Sequence, residues 1–203
     1  HRVDRRQRQM CIRDRNSIMA ISKYMQAVKD EAKGRPKSTA WYREKIKELG
    51  TPSSLDLIRD GKRNNKPFYG KLNMFMYDPK FKKTLPYYDT FPLVLPIEKY
   101  SDGFLGINLH YLPIPLRIKL LDRLVDYSNN TAFDESTKLI VDYQKLKNVK
   151  LIRPTIHKYL AGQTKSQFRR IDADEFTIAT LLPVQRFKKA KTAEVWADSR
   201  KMI

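Results

Sequence analysis

Residues 77–124 read YDPKFKKTLPYYDTFPLVLPIEKYSDGFLGINLHYLPIPLRIKLLDRL, and this stretch decides the fold. Phe91 to Lys99 alternates apolar residues with Pro92 and Pro96. That pattern predicts a strand whose prolines, lacking N–H donors, place it at an edge or at a bulge. Ser101-Asp102-Gly103 supplies a tight turn into a second strand, Phe104 to His110, so the two form an antiparallel hairpin. Beyond Pro113 the apolar period changes to that of a helix: Leu116, Leu120, Leu121 and Leu124 share one face. Arg117, Lys119, Asp122 and Arg123 are expected to face outward, and Pro115 suits a first helical turn.

Working outward, Leu72–Tyr77 reads as a further strand, Tyr77–Lys80 as a turn, and Leu85–Asp89 as extended chain. Toward the N-terminus, Ile21, Tyr24, Met25 and Val28 recur at helical spacing until Gly34-Arg35-Pro36. Ser38 caps a second helix with Trp41, Tyr42, Ile46 and Leu49 on one face. Toward the C-terminus, helices are expected from Asp134 or Ser136 to Lys147, from Pro154 to Leu160, and from Asp172 to Leu182. The tail, Thr192 to Met202, is expected to be helical but exposed. The predicted class is α+β: a small antiparallel β-sheet (about 71–110) flanked by N-terminal and C-terminal helices.

Arg5 to Arg15, RRQRQMCIRDR, matches the in-frame translation of a transposase-type sequencing adapter, so residues 1–18 are set aside as an artefact and expected to be disordered. The competing reading is a basic nucleic-acid-binding arm. The natural start is then expected at Met19, followed by one domain, 19–203, with a helical region (20–50), a β module (71–112) and a C-terminal helical region (113–203). Cys11, the only cysteine, lies in the discarded stretch, so neither a disulfide framework nor a thiolate metal site is expected. No apolar run approaches the roughly 18 residues of a membrane span. A soluble intracellular protein with no membrane partner is the expectation.

The whole chain carries 41 Lys/Arg against 22 Asp/Glu. Residues 1–18 hold six of the basic and two of the acidic residues, so a net +15 remains over residues 19–203. A field of that sign favours polyanionic partners, nucleic acid or an acidic protein surface. Catalytic signatures are scarce. His110 and His157 have no evident carboxylate or nucleophile partner in the sequence, and His110 reads as a hydrogen-bonded structural residue. There is no zinc spacing and no glycine-rich phosphate loop, so no cofactor and no metal are expected. Asp102-Gly103 fits a hairpin turn better than a calcium loop. Asp172, Asp174 and Glu175 could form a nuclease carboxylate cluster, but they read better as an ordinary acidic first helical turn favoured by the helix dipole.

Four basic clusters stand out, each with aromatic neighbours. They are Arg59, Lys62, Arg63, Lys66 and Lys71 around Phe68 and Tyr69; Lys80, Lys82 and Lys83 beside Phe81; Lys165, Arg169 and Arg170 around Phe168; and Arg186, Lys188, Lys189 and Lys191 beside Phe187. Cations of this kind neutralise phosphates, and adjacent rings can stack on exposed bases at strand ends.

The run LNMFMYDPKFKKTLPYYDTFPLVLPIEKYSDGFLGINLHYLPIPLRIKLLDRL, with the later VKLIRP and LLPVQRFKK…ADSRKMI, resembles structural and packaging proteins of large contractile-tailed bacteriophages, those of cyanobacteria in particular. The family it is most similar to is that of the DNA end protector proteins. The resemblance covers most of residues 19–203 but offers no short motif to transfer residue by residue. It implies a non-enzymatic virion protein, present in the host cytoplasm during assembly, that binds and shields the ends of packaged double-stranded DNA beside other phage structural proteins. On that reading Lys62, Arg63, Lys66, Arg169, Arg170, Arg186, Lys188 and Lys189 are the expected phosphate contacts. The alternatives are a structural neck, head-completion or baseplate protein, and a metal-dependent nuclease using Asp172, Asp174 and Glu175.

Overall fold

The computed structural model describes residues 40, 41, 44, 61–126, 146, 148–171 and 185–203. In chain order these carry β1 (Arg63–Asn64), β2 (Leu72–Met74), β3 (Tyr88–Asp89), β4 (Leu93–Lys99), β5 (Gly103–Asn108), α1 (Ile114–Asp126), β6 (Ile156–Leu160), β7 (Phe168–Ile171), β8 (Phe187–Lys188) and α2 (Thr192–Met202). Antiparallel pairing joins six strands in the order β1-β7-β2-β4-β5-β6, and β3 with β8 forms a separate two-stranded ribbon. The class is α+β as expected, and the sheet also recruits strands from outside residues 71–110. Ala40, Trp41 and Glu44 are helical, in keeping with the helix capped by Ser38.

The β4–β5 hairpin forms, and its prolines explain its shape. Pro96 pairs with Gly106, after which the register shifts so that Glu98 faces Leu105 and Ile97 is the extra, bulged residue. Pairing of β4 with β2 covers only Leu93 and Val94. Pro96 therefore lies past the end of β2, where its missing N–H breaks no ladder bond. The turn closes with Tyr100 N–H donating to the Gly103 carbonyl at 2.9 Å. A Cβ at Gly103 would run into the Tyr159 carbonyl on the neighbouring β6, so the close approach of these strands requires glycine.

Side chains alternate across the sheet and build two apolar layers. Leu72, Met74, Leu93, Leu95, Ile107 and Ile171 face one way and pack with Leu120, Leu121 and Leu124 of α1. Each of those three leucines is essentially fully buried, a contribution of about 1.5–3 kcal/mol apiece. Phe75, Tyr77, Val94, Phe104, Tyr159 and Phe168 form the other layer, with Phe104 stacked on Tyr159 at 5.3 Å between ring centroids.

Four expectations need correction. The second hairpin strand ends at Asn108, because the Asn108 side chain accepts the His110 N–H (3.0 Å) and turns the chain into a 3-10 segment, Leu109–Tyr111. Arg117 does not face outward: it is 0% exposed. Its Nε donates to the Leu112 carbonyl at 2.6 Å, one NH2 donates to Gln185 Oε1 at 3.1 Å, and its guanidinium lies 5.6 Å from the Trp196 ring. Residues 154–160 are not a helix. Pro154 sits inside a 3-10 segment, Lys150–Thr155, and Ile156–Leu160 is strand β6, held along β5 from Ile107 to Gly103. The tail is helical as expected but only partly exposed. Val195, Trp196 and Ser199 are buried, and Trp196 Nε1–H donates to the His110 carbonyl at 2.9 Å. The expected helices at 21–33, 134–147 and 172–182 fall wholly or almost wholly outside the described residues, as do residues 1–18.

Candidate nucleic-acid interface

The eight cations expected to contact phosphate fall into two groups on two different sheets. The first sits on the β1/β7 edge of the large sheet. Arg63 lies directly opposite Arg169, and Arg170 N–H donates to the Lys62 carbonyl at 2.8 Å. Cross-strand partners point to the same side, so Arg63 and Arg169 share a face, and like charges so placed repel. Lys62, Arg63 and Lys66 are exposed and Arg169 and Arg170 partly so, which gives this edge a row of cations over a short run of backbone. The Asn64 side chain accepts the Lys66 N–H at 3.4 Å, and Gln167 Nε2 donates to Asn65 Oδ1 at 2.9 Å, tying the loop to the strand.

The second group belongs to the β3/β8 ribbon. Lys188 is opposite Tyr88, and Arg186 leads into β8 with its guanidinium 5.1 Å from the Phe91 ring. Lys189 has a different job. It holds the left-handed backbone conformation (φ 69°), and its ammonium donates to the carbonyls of Lys83 and Leu85, both at 2.9 Å. Those bonds pin the 80–85 turn, with Lys83 and Lys82 on it, to the ribbon. Lys82 itself is paired with Asp78 at 2.9 Å, which raises its pKa through that hydrogen bond and charge.

Asp89 positions the ribbon. One carboxylate oxygen accepts the N–H groups of Phe91 and Arg186, each at 3.0 Å, and the other accepts from His110 Nδ1 at 2.6 Å. Burial pushes this carboxyl upward, but the His110 ring and the two backbone donors outweigh it and hold Asp89 below the usual carboxylate range. His110 is thus the hydrogen-bonded structural residue expected of it, fixed by a partner 21 residues away that spacing could not reveal. His157 likewise has structural partners, the Pro154 carbonyl at 3.2 Å and the Tyr111 ring at 4.1 Å.

The aromatic neighbours behave differently from the expectation. Phe168 is only 3% exposed and belongs to the aromatic core layer, so it cannot stack on a base. Phe68 packs against that layer and lies 6.0 Å from the Arg170 guanidinium, which holds the arginine rather than a nucleotide. Phe187 contacts Tyr87 and Tyr111 edge-on. Phe81, at 62% exposed, is the ring that remains accessible. Among the described residues no group of three His, Cys, Asp or Glu is placed to hold a metal ion, and Asp172, Asp174 and Glu175 lie outside them. Asp102 sits at the hairpin turn and pairs with Lys158 at 2.9 Å. Among the described residues no helix is long and apolar enough to cross a membrane.

No curated protein and no solved structure is detectably similar to the chain. A family model does match, over residues 1–199, and its description is the phage T4 terminal DNA protecting protein. That match spans nearly the whole chain. The chain belongs to the family of phage DNA end protecting proteins.

Proposed function

We propose that the protein works as a stoichiometric, non-catalytic cap on the ends of packaged linear duplex DNA, gripping the phosphate backbone through two basic surfaces. The β1/β7 edge supplies Lys62, Arg63, Lys66, Arg169 and Arg170, and the β3/β8 ribbon supplies Arg186 and Lys188. The observation that carries this reading is the in-register opposition of Arg63 and Arg169 beside Lys62. Two guanidinium groups facing each other on one side of the sheet can hold a phosphate between them. Lys189 is reassigned from phosphate contact to holding the 80–85 turn. Protection needs occupancy rather than chemistry: a nuclease that must thread an end is stopped by a protein seated on it. The place of action is the virion, with the host cytoplasm as the site of assembly.

The test compares blunt linear duplex with a covalently closed circle of the same sequence across a salt series, together with exonuclease digestion of the linear form. Tighter binding to linear DNA and slowed digestion are expected. Equal affinity for both forms with unimpeded digestion refutes the reading.

A further inference from the structure

A cavity of about 780 Å³ opens between the β3/β8 ribbon, β6 and the end of α2. That volume suits a small-molecule-sized group. Its lining is rich in rings: the half-buried Tyr87 and Tyr88 form walls, the buried Tyr111 and Tyr159 close its inner end, and Phe81 is exposed. The rim carries Lys80, Arg153 and Lys158. Arg153 is exposed and has no carboxylate partner among the described residues, and the Lys80 ammonium lies over the Phe81 ring at 5.5 Å. Lys158 is shared with Asp102. The cavity is also continuous with the second basic surface, since Tyr88 pairs with Lys188 and Lys189 fixes the carbonyl of wall residue Leu85.

The polar atoms inside are suited to an uncharged heterocycle. Burial raises the phenols of Tyr87 and Tyr111, so both stay protonated donors. The His157 Nε2–H donates to the Pro154 carbonyl, which leaves Nδ1 as an acceptor. Burial lowers that ring to about 4, so it is neutral near pH 7.

Phosphate contacts are alike all along a duplex and cannot by themselves tell an end from the middle. An end differs in offering a base with one stacking neighbour, the base that is easiest to displace. From this chemistry we infer that the cavity takes the unpaired terminal nucleotide of a DNA end, its base against Tyr87, Tyr88 and Phe81 and its phosphate on Lys80 and Arg153. The inference rests on the end-binding reading above and adds the feature that makes binding end-specific. Base–aromatic stacking is sequence-tolerant, as a cap for an arbitrary terminus requires.

The experiment uses the full chain and two readouts. Blunt duplexes carry 5-iododeoxyuridine either at the terminal position or in the interior, are irradiated, and the crosslinked peptides are identified by mass spectrometry. In parallel, linear and covalently closed DNA are titrated against the wild type and the double variant Phe81→Ala/Arg153→Ala, whose exposed positions spare the core. Terminal crosslinks are expected on the peptides bearing Phe81, Tyr87 and Tyr88. The double variant is expected to lose roughly tenfold in affinity for linear DNA with closed DNA unaffected. Terminal crosslinks confined to the β1/β7 edge, or an unchanged linear preference in the double variant, overturn the pocket assignment alone. A wild type with no linear preference overturns the end-binding reading and the pocket with it.

Discussion

Neutralising Lys62, Arg63 and Lys66 together tests the electrostatic reading most directly. All three are exposed, lie on or beside the two-residue strand β1, and make no core contact, so alanine at these positions leaves the fold in place. Each phosphate neutralised in duplex DNA contributes about −0.9 to the slope of log K against log salt. Removing three contacts therefore lowers the slope by about 2.7. Between 50 and 200 mM salt the wild type should then lose about 40-fold more affinity than the triple variant does. The assay is fluorescence anisotropy of a labelled blunt duplex at four or five salt concentrations, with circular dichroism to confirm folding. Lys189→Ala is the internal control. Its ammonium is occupied by the carbonyls of Lys83 and Leu85, so its loss should leave the slope within about 0.5 of wild type. A triple variant whose slope matches wild type refutes the placement of phosphate on the β1/β7 edge.

Arg117→Met removes a buried guanidinium and strands the Leu112 carbonyl and the Gln185 side chain. Leaving those buried acceptors unpaired costs about 1–3 kcal/mol each, which for a chain of this size lowers Tm by roughly 10 °C; a calorimetric fall under about 3 °C counts against the network. His157 gives a pH signature. Its folded pKa, about 4, lies below the ordinary 6.5, so between those values the unfolded chain binds the extra proton and stability must rise with pH. The span is worth up to about 3 kcal/mol. His157→Gln should flatten the difference in urea midpoint between pH 4.5 and 7.5, and an unaltered difference would show that the ring is solvated.

Local patterning carried the hairpin and α1, because Ser101-Asp102-Gly103 and the Leu116 to Leu124 spacing act within one turn of chain. Proline placement was legible as a choice between edge and bulge, and the structure uses both: Ile97 bulges where Pro96 has outrun β2. Strand β6 was hidden for a physical reason. Five residues are too few to establish a period, and Pro154 is as good at starting a helix as at closing a 3-10 turn. Ile156 and Tyr159, between Pro154 and Gly162, were the available hint of a strand. Arg117 was unreadable because helical spacing places a side chain on a side, while α2 arrives from 75 residues away to cover it with Trp196. The basic residues of the site were all visible as charge, but the sequence could not separate Lys189, whose ammonium is held by two carbonyls, from its equally exposed neighbour Lys188.

The β1/β7 cations also admit a purely protective account, since charged side chains on a short edge strand prevent sheets from pairing edge to edge. Position separates the two accounts. Lysine and arginine are the usual guards of an edge, but protection is needed only on the edge strand itself, here β1, and not on β7, which is paired on both sides. Arg63 lies on β1 with Lys62 and Lys66 beside it, Arg169 and Arg170 lie on β7, and the ribbon adds Arg186 and Lys188. Edge protection therefore accounts for the cations at β1 alone, whereas the proposed phosphate contact accounts for those of β7 and the ribbon as well.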